Sequence, residues 1–181
     1  IKLAKDHVLA HPDSQVLVVG ADIARYGLHN AGEPTQGGGA MAVVISANPR
    51  ILAIENGSAH YVADIMDFWR PLYATEALVD GKYSSKQYIE FFQQTFAQYQ
   101  KQHGLEISDL QALVFHLPYT KMGLKALRAI FPETDESHAN QLLREFEYSR
   151  VFNRQVGNLY TGSLYLSLLS LLVNSESLNE T

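Results

Sequence analysis

The chain has 181 residues, a net charge of −5 and no cysteine. Its 46% hydrophobic and 18% charged content is that of a globular rather than a disordered chain, and the length suits one domain or a large part of one. The acidic balance argues against a nucleic-acid partner, and the absence of cysteine excludes a disulfide framework, a thiolate metal site and a cysteine nucleophile within these residues.

Residues 2–10 read as a helix, followed by a His11-Pro12-Asp13 turn. Residues 15–20, QVLVVG, form the clearest strand, expected to be buried on both faces as in a parallel α/β sheet. Asp22, Arg25 and Tyr26 follow, where such a sheet would place its ligand crevice. The alternative is a solvated loop with a local Asp22–Arg25 pair. The stretch 32–39, GEPTQGGG, is dense in glycine but lacks the lysine of a phosphate loop and the spacing of a dinucleotide fingerprint. Its glycines are expected to let the backbone turn sharply or approach a neighbour closely. Residues 40–46 read as a strand, forming a hairpin with a second strand at 51–55.

The segment 62–83 is a long connection carrying Asp64, Asp67, the only tryptophan (Trp69) and Arg70, with a turn at Asp80-Gly81. Ser84 is expected to open a helix that runs to about His103 and stops at Gly104, with Tyr88, Phe92, Phe96 and Tyr99 as its core stripe. Residues 113–115, LVF, have the composition of a buried strand. His116 stands at its end, Pro118 stops pairing, and Thr120 is placed to cap a helix with Met122, Leu124, Leu127 and Ile130 on one side. A histidine at the carboxyl end of a strand, just ahead of a helix, is placed to meet a ligand, although a lone histidine is more often structural. Lys121 and Lys125, one turn apart, are candidates to meet an anion.

Beyond Pro132, Glu133, Asp135 and Glu136 read as solvated surface, with His138 beside them a weak metal candidate lacking a partner at ligand spacing. A polar-faced helix is expected at 138–148 and a helix buried on most sides at 164–173. That last stretch is too short to cross a bilayer and is broken by Ser167 and Ser170. No signal peptide is visible. Asn158, just ahead of it, can donate and accept; beside His116 it would complete a polar pocket for a carbonyl oxygen.

Several stretches coincide with one family. DIARYGL (22–28), GEPTQGGGAMA (32–42), DFWRP (67–71), LVDGKYS (78–84), FHLPYTKMGLKAL (115–127) and FNRQVGNLYTGSLYLSLLSLL (152–172) occur in its order and at its spacing. On these motifs, which span essentially all of 16–173, the chain resembles the 3-hydroxy-3-methylglutaryl-CoA synthases of the bacterial mevalonate pathway. The resemblance implies an α/β fold, thiolase-like with αβαβα layers, of which residues 1–181 hold a part: the end of the first half, the family's insertions and the start of the second half. It implies condensation of acetyl-CoA with acetoacetyl-CoA followed by thioester hydrolysis. It further implies a cytoplasmic homodimer that binds CoA thioesters, with no cofactor, metal, nucleic acid or membrane.

Carried over by residue, the family's catalytic histidine falls on His116, its assisting asparagine on Asn158 and its active-site tyrosine on Tyr26. Asp22 and Asp67 match acids that orient the site. Lys121 and Lys125 match basic positions near CoA. The family's nucleophilic cysteine and its glutamate fall upstream of Ile1, and its Gly-Ser-rich loop beyond Thr181. The chain is therefore expected to be an internal piece of a longer protein that is inactive alone. Two other readings remain: a ketoacyl synthase, which also pairs histidine with asparagine, and a non-catalytic fragment that binds CoA or a partner.

Overall fold

The computed structural model describes residues 1–178. Helix α1 (Lys2–Ala10) leads into strand β1 (Gln15–Ala24), which pairs antiparallel with β2 (Gly37–Ser46) along its whole length, from Gln15 opposite Ser46 to Ala24 opposite Gly37. Val16 and Val18 of β1 and Val43 and Ile45 of β2 share one face, and Ala4 and Val8 of α1 pack onto it. Alternate residues point the other way. Leu17, Val19, Ile23 and Val44 are exposed there.

This corrects three expectations. The first strand is not buried on both faces: one face packs on α1 and on the 160–162 turn, and Leu17, Val19 and Ile23 on the other are exposed. The pairing is antiparallel, so the crevice rule for parallel sheets does not apply. Among the described residues, 51–55 join no strand and form no hairpin with β2, whose ladder is made with β1. They are held over α1 instead, where Lys5 Nζ donates to the Glu55 carbonyl at 2.7 Å and to Asn56 Oδ1 at 2.9 Å.

A two-residue pair of strands, β3 (Phe68–Trp69) and β4 (Leu78–Val79), closes the long connection. Helix α2 (Gly81–His103) starts three residues earlier than expected. Asp80 is its cap rather than part of a free turn: the carboxylate accepts from Lys82 N at 3.1 Å and Tyr83 N at 3.0 Å, satisfying two donors the helix cannot pair internally. Tyr88, Phe92 and Phe96 pack on the core as foreseen, but no α2 residue is fully buried. Tyr99 sits apart, against the His103 ring.

Helices α3 (Met122–Arg128), α4 (Glu136–Ser149), α5 (Asn153–Val156) and α6 (Ser163–Asn174) complete the chain. The cap of α3 is Lys121, not Thr120, and no side chain bonds its amino end. Asp135 caps α4 by accepting from His138 N at 3.0 Å, Glu136 is exposed, and the side chain of Glu133 lies outside the described residues. The His138 ring hydrogen-bonds to the Ile107 carbonyl, a structural role. The main core joins Phe115, Leu117, Ala126, Leu127, Ile130, Leu142 and Phe146.

The expected strand at 113–115 joins no sheet among the described residues. Phe115 O and the backbone of Leu117 are nevertheless satisfied, because α6 turns hydroxyls toward them. Ser163 Oγ accepts from Leu117 N at 3.0 Å and donates to Leu117 O at 3.1 Å, and Ser167 Oγ donates to Phe115 O at 3.1 Å. Ser170 Oγ donates to Tyr148 O at 2.6 Å at the end of α4. The innermost face of α6 is thus serine at 163, 167 and 170, all fully buried, while Leu169 and Val173 are exposed. The buried side of α6 thus joins these hydroxyls to Leu166 and Leu171.

Candidate active site

Tyr26 lies two residues past the end of β1, where the ladder no longer supplies partners. Its N–H donates to Gln36 Oε1 at 2.8 Å, and its carbonyl accepts from the Asn30 side chain. The phenol oxygen accepts from Asn158 Nδ2 at 2.8 Å. Phe68 and Tyr160 meet its ring edge-on, with centroids 5.9 and 6.3 Å away. A residue distant by 132 positions is thereby fixed on a side-chain amide that is only 3% exposed.

Asn158 is held as firmly. Its N–H donates to the Thr35 carbonyl at 3.0 Å, and its Oδ1 accepts from Tyr160 N at 2.9 Å. Gly157 precedes it with φ of 81°, a conformation that side chains resist, and a Cβ there would collide with the Gln36 carbonyl. A Cβ on Gly37 would fall 2.7 Å from Asn158 O and 2.8 Å from Asn158 N. The glycine-rich loop is therefore a place of close backbone approach, as its composition suggests. Gly37, Gly38 and Gly39 belong to β2 rather than to a loop.

His116 follows the 113–115 segment. Tyr88 Oη donates to its carbonyl at 2.7 Å, and burial pushes the Tyr88 phenol well above the ordinary tyrosine range, so it stays a neutral donor. Burial lowers the His116 imidazole below its ordinary value, opposed by a hydrogen bond to the Tyr160 backbone. His116 and Asn158 are thus brought together through Tyr160, each bonded to its main chain.

Tyr160 was not singled out from the sequence, yet it links all the central groups. Its phenol is raised above the ordinary range by burial first, then by a hydrogen bond with Tyr26 and by the charges of Tyr26 and Asp22. Its φ of 41° lies in the left-handed region, a strain of about 1–2 kcal/mol for a residue with a Cβ. The three bonds around it hold that strain in place. Nothing in the local sequence YTG announces it. Gln36, Tyr88 and Ser163 were likewise missed as positioning groups.

The supporting acids separate. Asp22 lies inside β1, opposite Gly39, and accepts from Thr161 N at 3.1 Å, so it braces the Tyr160 turn. No Asp22–Arg25 ion pair forms among the described residues, and Arg25 is exposed. Asp67 accepts from Ser84 Oγ at 2.8 Å and anchors the start of α2. It reaches the centre only through its neighbour Phe68 on the Tyr26 ring. Lys121 and Lys125 are exposed on α3, and Lys125 Nζ leans on Tyr119, 3.5 Å from its hydroxyl.

Chemically, Tyr26, Asn158, Tyr160 and His116 form one polar chain between β1 and the turn ahead of α6. It offers a neutral imidazole and an amide that donates and accepts, both anchored through backbone, which suits polarising a carbonyl.

The family model described as hydroxymethylglutaryl-coenzyme A synthase C terminal matches residues 52–150. A hydroxymethylglutaryl-CoA synthase of Enterococcus faecalis is 49% identical over 178 residues, which is 98% of this chain and 46% of that relative. A crystal structure of an HMG-CoA synthase complexed with CoA superposes with a TM-score of 0.92 at 44% identity, over 97% of this chain and 45% of the other. A structure of MvaS in complex with 3-hydroxy-3-methylglutaryl coenzyme A gives a TM-score of 0.77 at 34% identity, over 95% and 49%. The chain thus spans about half the length of the relatives it matches, and it shares part of their thiolase-like α/β fold. The chain belongs to the hydroxymethylglutaryl-CoA synthase family.

Proposed function

We propose that this chain supplies the second-substrate side of a hydroxymethylglutaryl-CoA synthase of the bacterial mevalonate type, acting in a longer protein. That protein condenses acetyl-CoA with acetoacetyl-CoA and hydrolyses the enzyme-bound thioester, releasing 3-hydroxy-3-methylglutaryl-CoA and CoA. The observation that carries this reading is the hydrogen-bonded chain Tyr26–Asn158–Tyr160–His116 in a member of this family.

In the proposed reaction the acetyl group rides on a cysteine that these residues do not contain. A carboxylate removes a proton from its methyl group. The resulting carbon forms a bond to the ketone carbon of acetoacetyl-CoA, and the carbonyl π pair moves onto oxygen. His116 protonates that alkoxide. Burial holds the imidazole below its ordinary range, so only its minor protonated fraction near neutral pH acts as the acid, and the neutral ring otherwise donates a hydrogen bond through its N–H. Asn158 adds a hydrogen bond to the same oxygen, and Tyr26, held by the Asn158 amide, faces the acetyl group. Water then cleaves the thioester.

Asp22 and Asp67 act as braces. Lys121 and Lys125 attract the phosphates of CoA at the rim. The working protein is proposed to be a cytoplasmic homodimer that uses no cofactor or metal, since every step runs on protein groups and the two thioesters.

The test is turnover by the complete protein. Acetyl-CoA and acetoacetyl-CoA should yield 3-hydroxy-3-methylglutaryl-CoA and one free CoA per product, followed by mass spectrometry. Absence of that product, with condensation seen only on acyl-carrier-protein substrates, would reassign the chain to a ketoacyl synthase.

A further inference from the structure

Gln36 sits where three strained or close contacts converge. Its side-chain oxygen accepts from Tyr26 N at 2.8 Å. Its main-chain carbonyl presses on Gly157 so closely that no Cβ fits there. The residues on either side complete the grip. Thr35 O accepts from Asn158 N at 3.0 Å, and Gly37 abuts the Asn158 backbone. Gln36 therefore holds Tyr26 through its side-chain amide and crowds Gly157 through its carbonyl, while its neighbours Thr35 and Gly37 meet the Asn158 main chain.

The need for it follows from where β1 ends. The last ladder pair is Ala24 with Gly37. Beyond it Tyr26 N has no strand to bond, and a half-buried N–H without an acceptor would let the chain rotate about its own dihedrals. The Gln36 amide takes the place of the missing ladder partner. The turn that brings it back is built by Glu33–Thr35, with Gln36 N on Glu33 O at 3.2 Å.

We propose that Gln36 is a positioning residue that sets the Tyr26 phenol on the Asn158 amide. The inference rests on the synthase reading only for its consequence in catalysis; the geometric statement stands by itself.

The experiment compares Gln36→Met, which keeps the length but removes the acceptor, with Gln36→Glu, which keeps an acceptor oxygen. Gln36→Asn, one methylene shorter, serves if the methionine variant does not fold. Amide hydrogen exchange at Tyr26 and the side-chain amide signal of Asn158 are followed by NMR in the complete protein. Removing the acceptor should speed Tyr26 exchange about 2–10-fold, the range expected for one net hydrogen bond. It should also shift the Asn158 side-chain amide signal, and Gln36→Glu should restore both. In the complete enzyme, Gln36→Met should lower kcat about 10-fold while KM for acetoacetyl-CoA stays within two-fold, because the effect is on orientation. Unchanged exchange and an unmoved Asn158 signal in a folded variant would overturn the proposal. So would a shifted pair with undiminished kcat in an enzyme that turns over. If the wild-type protein makes no product, the synthase reading falls alone, and the exchange comparison still decides the role of Gln36.

Discussion

Ser163→Ala removes a single oxygen from the first residue of α6, and the structure gives that oxygen unusual weight. It accepts from Leu117 N and donates to Leu117 O, at 3.0 and 3.1 Å, and both residues are essentially inaccessible to solvent. No strand stands by to take over these two groups among the described residues. Each buried backbone group left without a partner costs about 1–3 kcal/mol. Alanine recovers about 0.5 kcal/mol in helix propensity. The net loss is about 2–5 kcal/mol, against a total stability of about 5–15 kcal/mol for a domain. Urea unfolding at unchanged m should show the midpoint falling by about 1–2 M. Ser167→Ala removes one hydroxyl proton shared among Phe115 O, Asn153 Oδ1 and Ser163 O and should cost about 1 kcal/mol. A change below about 0.5 kcal/mol for Ser163→Ala would refute the claim that this hydroxyl substitutes for a strand neighbour.

Two other outcomes are expected. The His116 imidazole should titrate below the ordinary value of about 6.5 in an NMR pH series, because burial outweighs the Tyr160 hydrogen bond. Its folded value is depressed, so the stability it supports is present above about 6.5 and is lost as pH falls through the folded value. A midpoint at or above 6.5 would contradict the burial argument. In the complete enzyme, replacing Lys121 and Lys125 together with alanine should weaken CoA-ester binding at low salt, with the difference shrinking as ionic strength rises. Unchanged affinity at low salt would leave both as solvated surface.

Much of this was legible in the sequence where local chemistry decides the outcome. Helices α1, α2, α4 and α6 follow from spacing and stop signals, and the crowding at Gly37 and Gly157 is the kind of contact that a glycine run announces. Pairing was less legible. Whether 40–46 bonds back to β1 or forward to 51–55 depends on which edge lies free in three dimensions, and Lys5 holding Glu55 is a contact fifty residues apart. The burial of Ser163 and Ser167 beside Leu166 and Leu171 on α6 goes with a backbone at 115–117 that joins no sheet, which no periodicity in α6 itself records. The site divided in the same way. His116, Tyr26 and Asn158 were reached through motifs, whereas Tyr160 and Gln36 act through main-chain bonds, and residue type alone does not reveal these.

The central claim is that His116 serves the ketone of the second substrate and not the acetylated cysteine. The direct measurement sets radiolabelled acetyl incorporation beside product formation for His116→Ala, Asn158→Ala and the double variant of the complete enzyme. The account predicts that His116→Ala leaves acetylation largely intact while condensation falls about 10²–10⁴-fold, the range for losing a positioned acid or base. It predicts a smaller defect in the same step for Asn158→Ala and a non-additive double variant, because both act on one oxygen. Loss of acetylation as severe as loss of condensation, in a His116→Ala protein that still folds, would contradict it and place the histidine with the cysteine.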